Sequence, residues 1–571
     1  MRKSIVYILS IVLLLTIAST AGAATNKKKA TWTASDVIVD GSDVRITGFN
    51  IDGSNYFKLR DVAASLAGTA GEFNVAWNKA SNAIELKKGV TYTGGVTDDY
   101  YNYFYTTQNA VASSSKIIVD GQSMDTKVYT IDDASYFQLR DLGKFAGFDV
   151  QFVSKQNEIH ITSPNPSNAF SAKASAKLID HKSIVYFPRW KRTVDSYLYH
   201  NNDQTMTALE ANETINIATY DANYRLLSSA TVKYELPVFG AFYSGEQYNY
   251  IAFGQTNKEE NDNKEIIRIV KYDKQFNKIS SASLLGGAGY TITPFDVAAG
   301  RIAEHGDTLV YHTSRERYLT EDGLNHQSQL TLIVDTTTMK IVNDTGKFQA
   351  NHVSHSFDQY VLFDGDEHVL LDHGDAFPRS IVLNKGDGFS YVERDVVNIP
   401  GSIGANATGV SIGGFEMSSS SYLVAYNTID HSKAKRYTSF GIEGIDIDQR
   451  DVMIAAVPKS NIETGKIKQV VLGSYVGTKK MASIPQLVKV TDNKFMVMWQ
   501  QYEGIPDDTY SNLGRGHLKY VYIDGEGNKL GDVQSVKYFN QSTVQPIVFD
   551  NKVVWYTNDN NKRTFYTIPI Q

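Results

Sequence analysis

Seven of the twelve histidines in this 571-residue chain fall between positions 305 and 373. They are His305, His312, His326, His352, His355, His368 and His373, and several stand beside carboxylates or amides, as in Glu304-His305-Gly306-Asp307 and Asp372-His373-Gly374-Asp375. Imidazole titrates near neutral pH and is a common ligand of divalent metals, so such a cluster suits a Zn or Mn centre or general acid–base chemistry. The candidate set is His305, His326, His352, His355 and His373, with Glu304 and Asp372 as carboxylate partners. Arg315, Arg317 and Arg379 could add anion contacts. No His-Glu-x-x-His spacing and no glycine-rich nucleotide loop accompanies them. The same residues fit a structural role, in which histidines near Gly-Asp turns bridge neighbouring strands by hydrogen bonds.

The elements that must position these side chains are strands. From Leu178 to the C-terminus short alternating segments recur, each ending in an Asp-led turn and followed by a strand with a basic residue. Ile215 to Asp221 leads to Arg225-Leu226-Leu227, Ile266 to Asp273 to Lys278-Ile279, Leu330 to Asp335 to Lys340-Ile341-Val342, and Tyr520 to Gly525 to Lys529-Leu530. A second apolar piece sits upstream of several: Thr308-Leu309-Val310-Tyr311, Tyr422-Leu423-Val424-Ala425, Phe495-Met496-Val497-Met498 and Val553-Val554-Trp555-Tyr556. Units of about fifty to seventy-five residues with four short strands each read as β-propeller blades. This predicts an all-β domain over 178–571 with six or seven blades; an array of β-sandwiches is the alternative. The last unit holds only three strands, so a strand from the Leu178–Tyr199 region is expected to complete it.

The N-terminal quarter is organised differently. Val39-Asp40-Gly41 and Tyr56-Phe57-Lys58-Leu59-Arg60-Asp61 return eighty positions later as Val119-Asp120-Gly121 and Tyr136-Phe137-Gln138-Leu139-Arg140-Asp141. Asp-Gly marks a hairpin turn, and the apolar spacing after each Tyr-Phe predicts a short amphipathic helix at the Leu-Arg-Asp string. Two small α+β modules follow, over 34–88 and over 89–162 with its connecting segment, and a Ser/Asn/Ala/Pro linker over 163–177. The Tyr100 to Tyr105 run is read as loop and strand packing between them.

The strings Asn55 to Asp61 and Ala134 to Asp141 resemble the copper amine oxidase-like N-terminal domain, a stalk module of secreted and surface proteins in Gram-positive bacteria. The resemblance covers about residues 34–162 and does not extend to the oxidase chemistry. That chemistry needs a tyrosine in an Asn-Tyr-Asp/Glu setting and a His-x-His pair. Here the Asn-Tyr pairs precede Phe57, Phe104, Arg225 and Ile251, and no His-x-His occurs. No copper is expected in the modules, which contain only His160.

Arg2-Lys3, the apolar run Ile5 to Ile17 and Ala21-Gly22-Ala23 read as a signal peptide over 1–23, with the mature chain beginning near Ala24. The run is shorter than the roughly twenty residues a spanning helix needs. The chain has no cysteine, which excludes a lipobox, disulfides and thiolate chemistry. Its formal charge is −6, and −6 − 2 = −8 without Arg2 and Lys3, a balance that argues against nucleic acid. The expected protein is secreted or loosely wall-associated, with no membrane span after signal cleavage. Two functions fit: a non-catalytic binder whose stalk displays a propeller that recognises a glycan, peptide or protein, or an extracellular propeller enzyme of lyase, hydrolase or sulfotransferase type using the histidine-rich centre.

Overall fold

The computed structural model describes residues 27–94, 100–173, 178–179, 187–188, 190–504, 513, 516–559 and 562–571. The signal sequence and its cleavage site lie outside these. The chain divides into two compact units at Ser163/Pro164.

In the first unit both Asp-Gly turns form as the composition demands. Asp40 and Gly41 have φ of 48° and 79°, and Asp120 and Gly121 have 47° and 84°, the left-handed pair that suits a two-residue hairpin. A helix begins at each repeated string, Leu59–Ser65 and Leu139–Ala146. Carboxylates anchor the two starts: Thr47 N–H donates to Asp61 and Thr126 Oγ1 to Asp141, while Arg60 and Arg140 are exposed. The copies are interleaved. Strand Ala83–Lys88 of the first pairs in parallel with Lys116–Val119 of the second, and Glu158–Thr162 pairs in parallel with Asp36–Val39. Six further strands, three from each copy, close a barrel. One core joins Phe57, Leu59, Val62 and Leu66 to Phe137, Leu139 and Leu142. The ranges 34–88 and 89–162 are thus halves of one body, because a single short helix on a small sheet leaves too much apolar surface uncovered. Tyr103 of the aromatic run packs edge-on against Phe49 in the barrel.

The second unit is a β-propeller. Its blades are built on antiparallel four-stranded meanders that follow one another along the chain; blades 3 and 4 are joined into one nine-stranded sheet by a Ser328–Ser354 pairing, and blade 6 carries a fifth short strand. Blade 1 begins at Ser196–His200, blade 2 at Val238–Ser244, blade 3 at Arg301–His305, blade 4 at Ser354–Asp364, blade 5 at Val410–Met417, blade 6 at Gln486–Thr491 and blade 7 at Ile547–Phe549. A sheet of this kind has two apolar faces and must be covered on both. Each adjacent pair shares a buried cluster, from Leu209 and Phe253 between blades 1 and 2 round to Tyr556 and Met206 between blades 7 and 1. The ring therefore closes at seven blades.

The strand that completes blade 7 is Ala169–Lys173, antiparallel to Lys562–Tyr566, and not one from Leu178–Tyr199. That stretch begins blade 1 instead. The segment 163–177, read from its Ser/Asn/Pro content as a linker, thus supplies the outer edge of the last sheet. A five-residue strand has little signal of its own, and the partner that makes it a strand lies almost four hundred residues away.

Candidate functional site

Strand direction alternates within a blade, so its turns sort onto two faces. On one face lie the connections from first to second and from third to fourth strand, and these are short apart from 459–467 in blade 5. The recurrent Asp closes the third-to-fourth turn each time: Asp221 accepts from the N–H groups of Asn223 and Arg225, Asp273 from Gln275 and Asn277, and Asp524 from Glu526 and Asn528, all at 2.8–2.9 Å. These bonds hold each carboxyl below its ordinary range. On the other face lie the long connections, including 254–265, 286–300, 342–353, 398–410 and 428–451. Blades 3 and 4 extend toward that face through strands Thr308–Leu319, Asn325–Asp335 and Ser354–Asp364. The exposed large apolar side chains Tyr290, Leu319, Leu324, Phe348, Ile403, Phe377 (67%) and Phe440 (89%) belong to this loop face, while Phe389 is exposed in the third-to-fourth turn of blade 4 on the other.

The histidine-rich set does not converge. Glu304 and His305 sit at the tight-turn face, where Tyr250 OH donates to Glu304 at 2.5 Å and His305 Nε2 lies 3.7 Å from Asp366. His326 pairs with Asp322 at 2.7 Å at the hairpin tip of blade 3. Asp372 is fully buried and engaged by His312 Nε2 at 2.9 Å and Ser356 Oγ at 2.6 Å. His312 also meets Thr331 Oγ1 at 2.9 Å, so the group ties blade 3 to blade 4. His373 is buried against Thr408 Oγ1 at 2.9 Å, and burial holds it neutral down to about 3. His352 packs edge-on against Phe348, and burial with the charges of Arg317 and Arg315 lowers it to about 4. Among the described residues no three His, Cys, Asp or Glu side chains come together in a manner that could hold a metal ion. The expectation of one Zn or Mn centre is corrected accordingly: sequence proximity placed these imidazoles in two blades but at different heights and on different sheet faces.

Arg315 and Arg379, nominated as anion contacts, shape loops instead. Arg315 donates to the carbonyls of Gly289, Thr345, Gly346 and Lys347. Arg379 donates to those of Pro400, Asp375, Ala405 and Ala407. Each buried guanidinium has five donors in a fixed fork and staples a long connection to its blade. Burial, with Arg317 beside it, lowers Arg315 to about 9.

One nominated histidine is placed for chemistry. His355 Nδ1 lies 2.9 Å from Asp375 Oδ1, and Asn406 Nδ2 donates to the other carboxylate oxygen at 2.7 Å. Asp375 is fully buried while His355 is partly exposed, and the second ring nitrogen of His355 makes no hydrogen bond among the described residues. Its backbone has φ +54°, a left-handed conformation that costs a non-glycine residue about 1–3 kcal/mol. A carboxylate on Nδ1 fixes the tautomer that leaves Nε2 as acceptor, the arrangement a general base needs.

Sequence reading passed over Asp358. It is 1% exposed on the inner strand of blade 4, with Lys191 Nζ at 3.5 Å, and burial raises its pKa. Lys191 belongs to the segment that leads into blade 1, so the pair ties that segment to blade 4. The charged residue inside the run Ser356-Phe357-Asp358-Gln359 was its only signal. An open cleft of about 1230 Å³ lies between blades 4 and 5, lined among others by Glu393, Asp395, Asp430, His431 and Asp451.

No family model matches the sequence, and no curated protein matches it. Solved structures similar to it include the β-propeller domain of the Trilobed protease from Pyrococcus furiosus, at 12% identity over 75% of this chain and 94% of that one, TM-score 0.30. BamB from Moraxella catarrhalis is similar at 11% identity over 66% of this chain and 99% of that chain, TM-score 0.32. A protein of unknown function from Dyadobacter fermentans gives 9% identity, 63% and 100% coverage, and TM-score 0.32. Likeness this distant says nothing about what the chain binds.

Proposed function

We propose that this chain is a secreted, envelope-associated binding protein in which the N-terminal unit acts as a stalk and the loop face of the propeller recognises an extracellular glycan or protein. The observation that carries the reading is the asymmetry of the two faces: Asp-closed turns on one, and on the other long connections, two of them stapled by Arg315 and Arg379, with Phe348, Phe377 and Phe440 exposed among them. Exposed aromatic groups on rigidly held loops are the usual anchors of recognition, and they cost solubility when left unused. The basic and apolar start of the chain and the stalk resemblance of residues 34–162 support export and display.

Protein recovered from culture medium should begin near Ala24 and bind isolated cell envelopes. The double variant Phe377→Glu/Phe440→Glu should lose at least tenfold in envelope binding with an unchanged melting temperature, because both side chains are largely exposed. Full retention of binding by the variant, or recovery of protein that still carries Met1, overturns the reading.

The His355–Asp375 pair supports a second reading, an enzyme acting at the same face. Here His355→Ala should abolish turnover of any polymer the parent degrades, while His305→Ala on the opposite face leaves it unchanged. Equal rates in parent and His355→Ala remove the pair from consideration.

A further inference from the structure

Arg317 is a buried charge on the loop face with two unpartnered nitrogens. Its side chain lies at the outer end of strand Thr308–Leu319 and is 5% exposed. Its Nε and Nη1 are buried and have no hydrogen-bond partner, and Nε of the neighbouring Arg315 has none either. Burial lowers both guanidinium pKa values. The carboxylate that acts on Arg317 is Asp322, which is already engaged by Thr320 Oγ1 at 2.6 Å, Leu324 N–H at 3.1 Å and His326 at 2.7 Å. His352 beside the pair is neutral at physiological pH. Two buried guanidiniums therefore share one spot with no counter-ion of their own. Arg315 is held by the loop carbonyls it staples, but Arg317 has no such bonds, and a buried charge left unpaired destabilises the fold, so stability gives no reason to keep it.

An exposed aromatic ring lies over Arg317. The Phe348 ring lies over it at 4.7 Å, is 56% exposed, and belongs to the connection 342–353, with Lys347 Nζ 5.6 Å from the same ring. A rotation of Phe348 would open the guanidinium to the loop face and leave an aromatic wall beside it.

We propose that Arg317, with Arg315 behind it and Phe348 as its cover, is a binding site for an oxyanion carried on a sugar, that is, an acidic saccharide. The guanidinium fork matches a carboxylate or sulfate in two parallel hydrogen bonds, and the flat apolar side of a sugar ring matches the exposed face of an aromatic one. The site deepens the binding reading given above by naming the class of ligand, and it rests on that reading.

The test uses the full-length mature protein with three probes: oligogalacturonate for a carboxylate, dextran sulfate for a sulfate, and neutral dextran. Calorimetric titration should show binding of at least one charged probe, weakening as salt rises, and none of neutral dextran. Arg317→Gln should weaken that binding at least tenfold while its melting temperature equals or exceeds the parent's, because the substitution removes an uncompensated buried charge. Phe348→Ala should weaken binding without a change in melting temperature, which guards against a misfolded Arg317 variant. Charged probes bound no better than neutral dextran, or bound equally by parent and Arg317→Gln, overturn the site. If neutral polymers bind and Phe377→Glu/Phe440→Glu abolishes it, the loop face stands as a binding surface and only the acidic-saccharide inference fails.

Discussion

Replacing Glu210 by alanine should destabilise the propeller by about 3–5 kcal/mol, the usual cost of stranding one partner of a buried ion pair. Glu210 on the second strand of blade 1 and Arg563 on the third strand of blade 7 are each 2% exposed and meet at 2.5 Å. The pair lies where the ring closes. Arg563 also donates to Tyr220 OH at 2.9 Å and Asn558 Oδ1 at 3.2 Å, and it lies 4.3 Å over the Tyr556 ring. Asn558 Nδ2 donates to Glu210 Oε1 at 2.6 Å and to the Ile179 carbonyl at 2.8 Å, while Ile179 N–H donates to Glu210 Oε2 at 3.2 Å. Apart from the bond between Arg563 and its cross-strand neighbour Asn558, each hydrogen bond of the network joins different parts of the chain. Loss of the carboxylate leaves the Arg563 guanidinium buried without the counter-ion it faces in the native pair. Urea unfolding monitored by tryptophan fluorescence measures the effect. Glu210→Leu/Arg563→Met, which removes both charges, should recover most of the loss, because well-packed apolar groups often replace such a pair at no net cost. A single-variant loss below about 1 kcal/mol would mean that the strand Ala169–Lys173 and the apolar cluster between blades 7 and 1 suffice to close the ring.

How far the sequence reveals this molecule depends on how local each determinant is. Asp221, Asp273, Asp335 and Asp524 were legible as turn residues because each binds N–H groups two to four positions ahead. Leu59 and Leu139 announce their helices through spacing alone. The pairing of the two N-terminal copies was not legible, because strand Asp36–Val39 is equally apolar whether it lies beside its own hairpin or beside Glu158–Thr162. The candidate site shows the same limit more sharply. His305, His312 and His373 share a composition anomaly, yet their surroundings come from Asp366, Asp372 and Thr408 respectively. The partner strand decides whether an imidazole is a bracket or a base. Arg317 had one visible sign, a second arginine two positions after Arg315 on a strand whose alternation sends both to the same face.

Acid should expose the cost of one such buried imidazole. His373 is 4% exposed, and burial first, then Lys191, Arg450 and Arg379, lowers its pKa from 6.5 to about 3. The unfolded chain takes up a proton below about 6.5, whereas the folded protein does not until about 3. The folded pKa is therefore the depressed one, so the stability His373 contributes is complete above 6.5 and drains away as pH falls toward 3. At pH 4.5, two units into that window, the loss is about 2.7 kcal/mol at about 1.36 kcal/mol per unit. Other groups titrate in the same range, and several act in the opposite sense: burial raises the pKa of Asp296, Glu304, Asp358, Glu393 and Glu416, the last to about 7, and each gains stability on acidification. A difference measurement removes them. His373→Gln keeps a donor for Thr408 and has no proton to gain, so its stability relative to the parent should rise by about 2–3 kcal/mol between pH 7.5 and 4.5. Denaturant unfolding at four or five pH values gives both curves. Parallel curves over this range would mean that His373 is protonated in the folded protein, and that its site is wetter and closer to a carboxylate than its contact with Thr408 implies.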